Sequence, residues 1–319
     1  MNKLSSLIPL LQCPQCNNPL LQLVTEVQEL RCSSCGARYP VVHDRPVLLR
    51  QDNPIFPIKD YLFTAPPRTP VKPSGLKRFI PTPSVNLASN RVLDRLKSIL
   101  IQAETATVLV VGGGRQRSWL DQRLGAGTHL KLIYSDIDVG ADVDLFCDGH
   151  HLPFADGCVD AVITTAVLEH VLYPERVAAE VHRVLKTGGL LYSELPFMQQ
   201  VHEGAYDFTR YTLSGHRRLF NGFTEIETGM VAGPATALVW AIENLALAFV
   251  RRPMFRTLTK AGVRLLFSWL KWLDYLLVNR PEAMDGASCT YFLGAKTTER
   301  VSDLEIINRY VGAKHLRHS

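Results

Sequence analysis

Four apolar residues, Val108-Leu109-Val110-Val111, run straight into three glycines, Gly112-Gly113-Gly114. Three of the four are β-branched, and an unbroken apolar run of this length predicts a short strand buried on both faces. Glycine has no Cβ, so the chain can turn tightly after the strand and admit a ligand close to its backbone. A strand that breaks in glycines and then enters a helix is how an α/β sheet opens a nucleotide crevice. The same turn also serves for plain chain reversal, so its meaning depends on what surrounds it.

Upstream, Cys13-Pro-Gln-Cys16 and Cys32-Ser-Ser-Cys35-Gly36 form two Cys-x-x-Cys pairs. Each pair makes a tight knuckle that offers two thiolates to one ion, and two facing knuckles complete a tetrahedral four-thiolate site. Unligated cysteines are the alternative, but a segment this small has too little core to hold them. Because protein fills all four positions, the zinc is expected to be structural rather than catalytic. The other cysteines, Cys147, Cys158 and Cys289, are scattered. Seven cysteines in this pattern suit a metal site in a reducing compartment, not a disulfide framework. The apolar run Leu7–Leu11 contains Pro9 and leads directly into a cysteine pair, so no signal peptide is read there. A cytoplasmic chain without a spanning helix is expected, with peripheral membrane contact as a variant.

Helical spacing of Val92, Leu93, Leu96, Ile99 and Leu100 predicts a helix over 90–101. Leu130–Tyr134 predicts the second strand, ending in Ser135-Asp136-Ile137-Asp138. Asp136 stands roughly 20 residues past the glycines, where a carboxylate accepts both ribose hydroxyls of a nucleoside. Leu190–Leu195 reads as the fifth strand, Leu213–Phe220 as a short helix, Thr224–Thr228 as the sixth strand and Thr290–Ala295 as an antiparallel last strand. The expected fold is α/β: a Rossmann-like doubly wound seven-stranded sheet, a small N-terminal zinc ribbon, and a helical insert before the last strand. The boundaries follow as 1–50 for the ribbon, 51–85 for a Pro-rich linker, 86–300 for the sheet domain with its insert at 234–286, and 301–319 for a basic tail. The end of the linker, near Asn86, offers a lid over the cofactor as the alternative to a solvated tether.

Two resemblances sharpen this picture. Leu-Gln-Cys13-Pro-Gln-Cys16-Asn-Asn-Pro-Leu, Arg-Cys32-Ser-Ser-Cys35-Gly-Ala-Arg-Tyr-Pro and Arg45-Pro-Val-Leu-Leu resemble the zinc ribbon that activates several RNA and translation-factor methyltransferases. Further on come Asp148-Gly149-His150-His151-Leu-Pro-Phe, Asp160-Ala-Val-Ile, Leu168-Glu169-His170 and Arg183-Val-Leu-Lys-Thr-Gly-Gly189. In this order and spacing they resemble the class I S-adenosylmethionine-dependent methyltransferases of type 11. The resemblance implies that Gly112, Gly113 and Gly114 lie under the methionine part of the cofactor, and that Asp136 holds the ribose. It implies that Asp148, next to Gly149, meets the adenine amino group with His150 or His151 beside it. It also implies that Thr165 to His170, with Glu169, line the methyl-donor end. Two positions depart from the family: Val110 replaces an acidic residue of the first strand, and Gln116 replaces a third glycine.

After the fifth strand, Pro196-Phe197 and His202-Glu203-Gly-Ala-Tyr206-Asp207-Phe208-Thr-Arg210-Tyr211-Thr212 resemble a subgroup associated with surface-polysaccharide and lipid-linked glycan pathways. His202 is the candidate base for an acceptor hydroxyl, with a structural bond to Asp207 as its other role. Arg210 either binds an acidic acceptor or pairs internally with Asp207 or Glu203. In the insert, Ala235–Val250 and Val263–Val278 predict apolar helices, and Arg252, Arg256, Lys260 and Arg264 recur every four residues. Such a surface suits an anionic membrane or lipid phosphate through 235–278, or else a cap on the sheet or a homodimer interface.

The net charge of +5 on 319 residues is mild, so no specific nucleic-acid partner is expected. The function expected is methyl transfer from S-adenosylmethionine to a hydroxyl or amine of a small-molecule or lipid-linked acceptor of the sugar or glycan type. Methylation of RNA or a translation protein is the second reading. A non-catalytic scaffold, resting on Val110 and Gln116, is the third.

Overall fold

The structure is a computed structural model that describes residues 3–19, 21–63, 78–114, 116–125 and 129–314. Its strands are β1 (Leu21–Val24), β2 (Glu29–Cys32), β3 (Arg38–Val42), β4 (Arg45–Leu48), β5 (Ala106–Val111), β6 (Leu130–Asp136), β7 (Leu145–Cys147), β8 (Val159–Thr165), β9 (Leu185–Pro196), β10 (Phe223–Ala232) and β11 (Cys289–Lys296). They form one sheet in the order β1-β2-β3-β4-β7-β6-β5-β8-β9-β11-β10. The seven strands from β7 to β10 are the expected Rossmann-like sheet, parallel except for β11, which runs antiparallel to both β9 and β10.

β5 sits in the middle, and its sequence explains why. Leu109 and Val111 join one apolar layer, while Val108 and Val110 join the layer on the opposite face. A central parallel strand covered on both sides needs apolar residues at every position. On the second face the helix Ser89–Leu100 buries Val92, Leu93, Leu96 and Leu100 against the sheet. Asn86 begins that helix: its Oδ1 accepts from the backbone N–H groups of Ala88 and Ser89. Asn86 thus closes the turn that leads into the helix, and it does not line the cofactor cavity described below.

The ribbon's last strand belongs to the main sheet. β4 pairs parallel with β7, with Val47 opposite Phe146 and Leu48 opposite Cys147. Val47, Leu48 and Leu49 are fully buried. The residues ahead of the first cysteine dock as well: Leu4, Leu7 and Leu11 are buried, and the N–H of Gln12 donates to the Pro153 carbonyl at 3.0 Å.

The centre of the Pro-rich stretch, with Pro66, Pro67, Pro70, Lys72, Pro73 and Lys77, lies outside the described residues, as do His315, Arg317 and His318 of the tail. Both ends of that stretch are packed. Tyr61 is buried against Phe146 and donates to the Ile137 carbonyl at 2.7 Å. Ser84 accepts from Trp240 Nε1 at 2.8 Å, and Lys271 donates to the Thr82 carbonyl at 2.6 Å.

The insert forms helices Pro234–Ala248 and Pro253–Phe267, a 3-10 stretch Ser268–Leu273 and a short helix Asp274–Leu277. The second helix has Pro253 in its first turn, as a stripe from Arg252 to Arg264 on one helix face requires, and it takes in the start of the apolar stretch from Val263. It ends at Phe267, where the chain tightens and turns Lys271 and Asp274 inward. Asp274 is buried and accepts the N–H groups of Gly233, Ala235 and Thr236, so it caps the first helix of the insert. Three residues of the basic stripe bond back onto the first helix of the insert and the turn after it, while Arg252 stays exposed. Arg264 and Lys260 reach Glu243 at 2.7 and 3.4 Å, and Arg256 donates to the Leu247 and Val250 carbonyls.

Because β4 is a strand of the main sheet, zinc is expected to support the whole chain. Stripping zinc, or the substitution Cys32→Ser, should lower the melting temperature of a single calorimetric transition by at least roughly 5 °C. Two separate transitions, with the major one unmoved, would show that the pairing contributes nothing.

Candidate cofactor and acceptor site

The four ribbon cysteines converge. Sγ of Cys13 lies 3.7 Å from Cys35, Sγ of Cys16 lies 3.7 Å from Cys32, and all four atoms fall within 4.8 Å of one another. A tetrahedron with Zn–S bonds of about 2.3 Å has edges of about 3.8 Å, so this donor set fits zinc. Tyr39 Oη stands 3.0 Å from Cys13 Sγ in the buried base of the cluster.

At the C-terminal ends of β5, β6 and β7 a cavity of about 710 Å³ opens. This is where a doubly wound sheet binds its ligand. Gly112, Asp136, Asp148, Gly149, His150 and His170 all line it. Gly112 adopts φ +70°, and a Cβ there would stand 2.4 Å from Val167. Gly113 lies over Val110, and Gly114 donates its N–H to Asp136 Oδ2 at 3.2 Å. Asp136 Oδ1 accepts from Ile137 and Asp138, which leaves acceptor capacity on Oδ2. Burial raises the Asp136 pKa above the usual carboxylate value.

Asp148 behaves differently. Burial would raise its pKa too, but hydrogen bonds from His150 and Asn53 outweigh burial and hold it low. Its Oδ1 meets His150 Nδ1 at 2.6 Å, and Oδ2 accepts from Asn53 at 3.0 Å. Two carboxylates set among Ile55, Phe56, Val111, Ile137 and Cys147 suit a nucleoside with hydroxyls, an amino group and a sulfonium. The chemistry of these donors therefore fits S-adenosylmethionine.

Beyond the cavity a second group of side chains comes together. Thr165 is buried and donates to Gln116 Oε1 at 2.6 Å, so the residue that replaces the family's third glycine is tied to β8. Glu169 is fully buried beneath the wall, and burial lifts its pKa to about 7. His170 hydrogen-bonds the Tyr206 carbonyl at 2.7 Å. His202 does not line the cavity itself, but its ring centroid lies 4.9 Å from that of His170 and 6.4 Å from that of Trp240 in the insert. Arg210 pairs with Asp207; against the upward pull of burial, that bond and the N–H of His202 hold the Asp207 pKa down at about 2.

Residues 111–193 match the methyltransferase-domain family, and residues 5–43 match the Trm112p-like family. The stretch from the end of β5 into β9 is a methyltransferase domain. This S-adenosylmethionine-dependent methyltransferase thus carries a Trm112p-like zinc module on the same chain. No curated protein matches it. Similar solved structures include the [4+2]-cyclase SpnF, 17% identical over 66% of this chain and 82% of that one, with a TM-score of 0.43. Phosphoethanolamine N-methyltransferase 2 of Haemonchus contortus is 16% identical over 67% and 54%, with a TM-score of 0.42. A chain from the complex of the Haloferax volcanii Trm112 methyltransferase activator with its methyltransferase partner is 17% identical over 67% and 96%, with a TM-score of 0.41. Scores this low say nothing about substrate.

The methyltransferase uses residues that its motifs do not mark. Arg50, Asp52, Asn53, Pro54, Ile55 and Phe56 wall the cavity, and Phe56 stacks on Tyr206 with centroids 6.3 Å apart. The one sequence signal was Val47-Leu48-Leu49, an apolar run ending just before Arg50. Asp136→Ala should weaken S-adenosylmethionine binding on the order of 100-fold, through loss of charge-assisted hydrogen bonds. Asn53→Ala should weaken it roughly threefold to tenfold, with the fold intact in both variants. Titration calorimetry beside circular dichroism reads this out, and unchanged affinity in Asp136→Ala would remove that residue from the site.

Proposed function

We propose that this methyltransferase moves the methyl group of S-adenosylmethionine to a hydroxyl, or an amine, of a sugar or lipid-linked glycan-type acceptor. The boundaries read from the sequence assign the roles: the ribbon (1–50) supports the sheet edge, the sheet domain (86–300) binds the cofactor, and the insert (234–286) shapes the acceptor side. The observation that carries the reading is the grouping of His170, His202, Tyr206, Phe208 and Trp240 at the end of the cavity. Aromatic faces suit the apolar faces of sugar rings, and an imidazole can take a hydroxyl proton. Methyl transfer is an in-line displacement, so positioning supplies most of the rate. The cofactor residues are Gly112, Gly113, Gly114, Asp136, Asp148, Gly149, His150, Thr165, Glu169 and His170, with His202 as the base.

Labelled S-adenosylmethionine, incubated with the chain and a panel of lipid-linked and free glycans, should give label in the glycan fraction. Label in RNA instead, falling steeply with salt, would favour the second reading. Absence of cofactor binding by a folded chain would favour the scaffold.

The insert supports the lipid-linked part of the proposal. No helix of the described residues is long and apolar enough to cross a membrane. The insert nevertheless exposes Phe249, Leu258, Leu266, Trp269 and Leu276. Arg251, Arg252 and Arg280 are exposed beside them, and the single acid between Asn244 and Pro281 is the buried Asp274. An apolar, aromatic surface with basic flanks fits the interface of an anionic bilayer. Flotation with vesicles rich in phosphatidylglycerol should carry the chain upward, and Trp269→Ala with Leu276→Ser should reduce the bound fraction severalfold. Equal flotation with neutral vesicles would refute the role of the basic flanks, and no flotation with either would refute membrane contact.

A further inference from the structure

Glu169, His170 and His202 form a second cluster of metal-ligating groups, separate from the four cysteines. Each presents one ligand atom, and the three atoms lie within 4.8 Å of one another. Glu169 is fully buried, yet neither of its carboxylate oxygens accepts a hydrogen bond. A buried carboxylate without a partner is costly and calls for a physical reason. Nε2 of His170 stands 3.6 Å from Oε1, too far for a hydrogen bond.

Both imidazoles are held by their other nitrogen. Nδ1 of His170 lies 2.7 Å from the Tyr206 carbonyl. Nδ1 of His202 lies 3.2 Å from the Gln200 carbonyl and 3.5 Å from Asp207 Oδ2. A carbonyl can only accept, so Nδ1 carries the proton in each ring and Nε2 keeps its lone pair. Metal-ligating histidines have this setting, with one nitrogen on the ion and the other N–H on a carbonyl or carboxylate. Two neighbouring parallel strands deliver the cluster. Glu169 and His170 follow β8 and His202 follows β9, and the N–H of Phe208 ties the second loop to the Glu169 carbonyl at 2.7 Å.

We propose that Glu169, His170 and His202 bind a divalent transition-metal cation at the acceptor end of the cofactor cavity, and that this cation ligates the acceptor oxygen. Two imidazoles and one carboxylate suit Zn²⁺ or Mn²⁺ better than Mg²⁺. For bonds of about 2.0–2.1 Å in tetrahedral geometry the ligand edge is about 3.4 Å, close to the Glu169–His170 separation. Three protein ligands leave a position open for the acceptor.

What the cation does there rests on the methyltransferase reading. A hydroxyl bound to the ion is acidified and gives its proton to water. The oxygen then attacks the methyl carbon: the C–O bond forms, the C–S bond breaks, and its electron pair stays on sulfur as S-adenosylhomocysteine. His202 then serves as a ligand, and the cation takes over the activation described above for a free base.

The test needs neither cofactor nor acceptor. The full chain, with zinc already in its ribbon, is titrated with Mn²⁺ and followed by electron paramagnetic resonance. A parallel titration with Zn²⁺ is followed by metal analysis after gel filtration. One equivalent beyond the ribbon zinc is expected, with binding weakened at least tenfold in Glu169→Gln and in His202→Ala. Glu169→Gln keeps the shape of the buried side chain, and His202→Ala lies on a surface loop, so at least one variant reports on a folded chain. Absence of an extra equivalent of either metal overturns the proposal, as does equal binding by the wild type and both variants. Metal binding without methyl transfer would instead leave the cation site standing and remove the reading of its purpose.

Discussion

The cofactor cavity depends on a short parallel pairing, β4 on β7. The four thiolates fix the ribbon, the ribbon presents β4, and β4 adds itself to the edge of the parallel sheet. The chain leaves β4 at the same end of the sheet as it leaves β5, β6 and β7, so residues 50–56 arrive at the mouth of the crevice. There Asn53 takes one oxygen of Asp148, and Phe56 lies on Tyr206. A metal site and a nucleoside site that share no residue are thus mechanically continuous. The energetics of the pairing come mainly from the burial of Val47, Leu48 and Leu49, since exposed strand edges gain little by themselves.

Much of this was legible in the residues. The apolar run Val108–Val111 signalled a short buried strand, and the spacing of Cys13, Cys16, Cys32 and Cys35 pointed to a four-thiolate zinc site. Local chemistry of this kind is written in consecutive or regularly spaced positions. The cavity wall at 50–56 was not legible, because Pro54 and Pro57 look like a tether until the strand before them has a partner. The direction of the basic stripe was equally hidden. A repeat of four tells which charges share a helix face but not whether that face meets solvent or Glu243. The end of the second insert helix was hidden for the same reason: Lys271 and Asp274 interrupt the apolar pattern because they face polar groups inside, on Thr82 and on the N-terminus of the first helix of the insert.

The crevice and the loops beside it show how the sheet divides labour. Strands β5 to β7 supply carboxylates and backbone for a ligand of fixed chemistry, while the loops after β8 and β9 and the insert supply imidazoles and aromatic rings. The first group is held by the hydrogen-bond ladder; the second is held by side-chain contacts such as those of Asp207 with Arg210 and His202. Loops on a rigid frame can change without cost to the frame, which is why the fold is informative about the methyl donor and silent about the recipient.

The register between β4 and β7 is only two residues long, Val47 with Phe146 and Leu48 with Cys147. The docked Leu4, Leu7 and Leu11 and the bond from Gln12 to Pro153 extend that contact beyond the strand pair. On one chain the partners meet at an effective concentration of about millimolar, whatever the abundance of the protein. Occupancy of the β7 edge then becomes independent of expression level and of competition from other chains. The fused ribbon is in this sense a subunit with a fixed stoichiometry of one, and dilution, which would separate a two-chain assembly, leaves it in place.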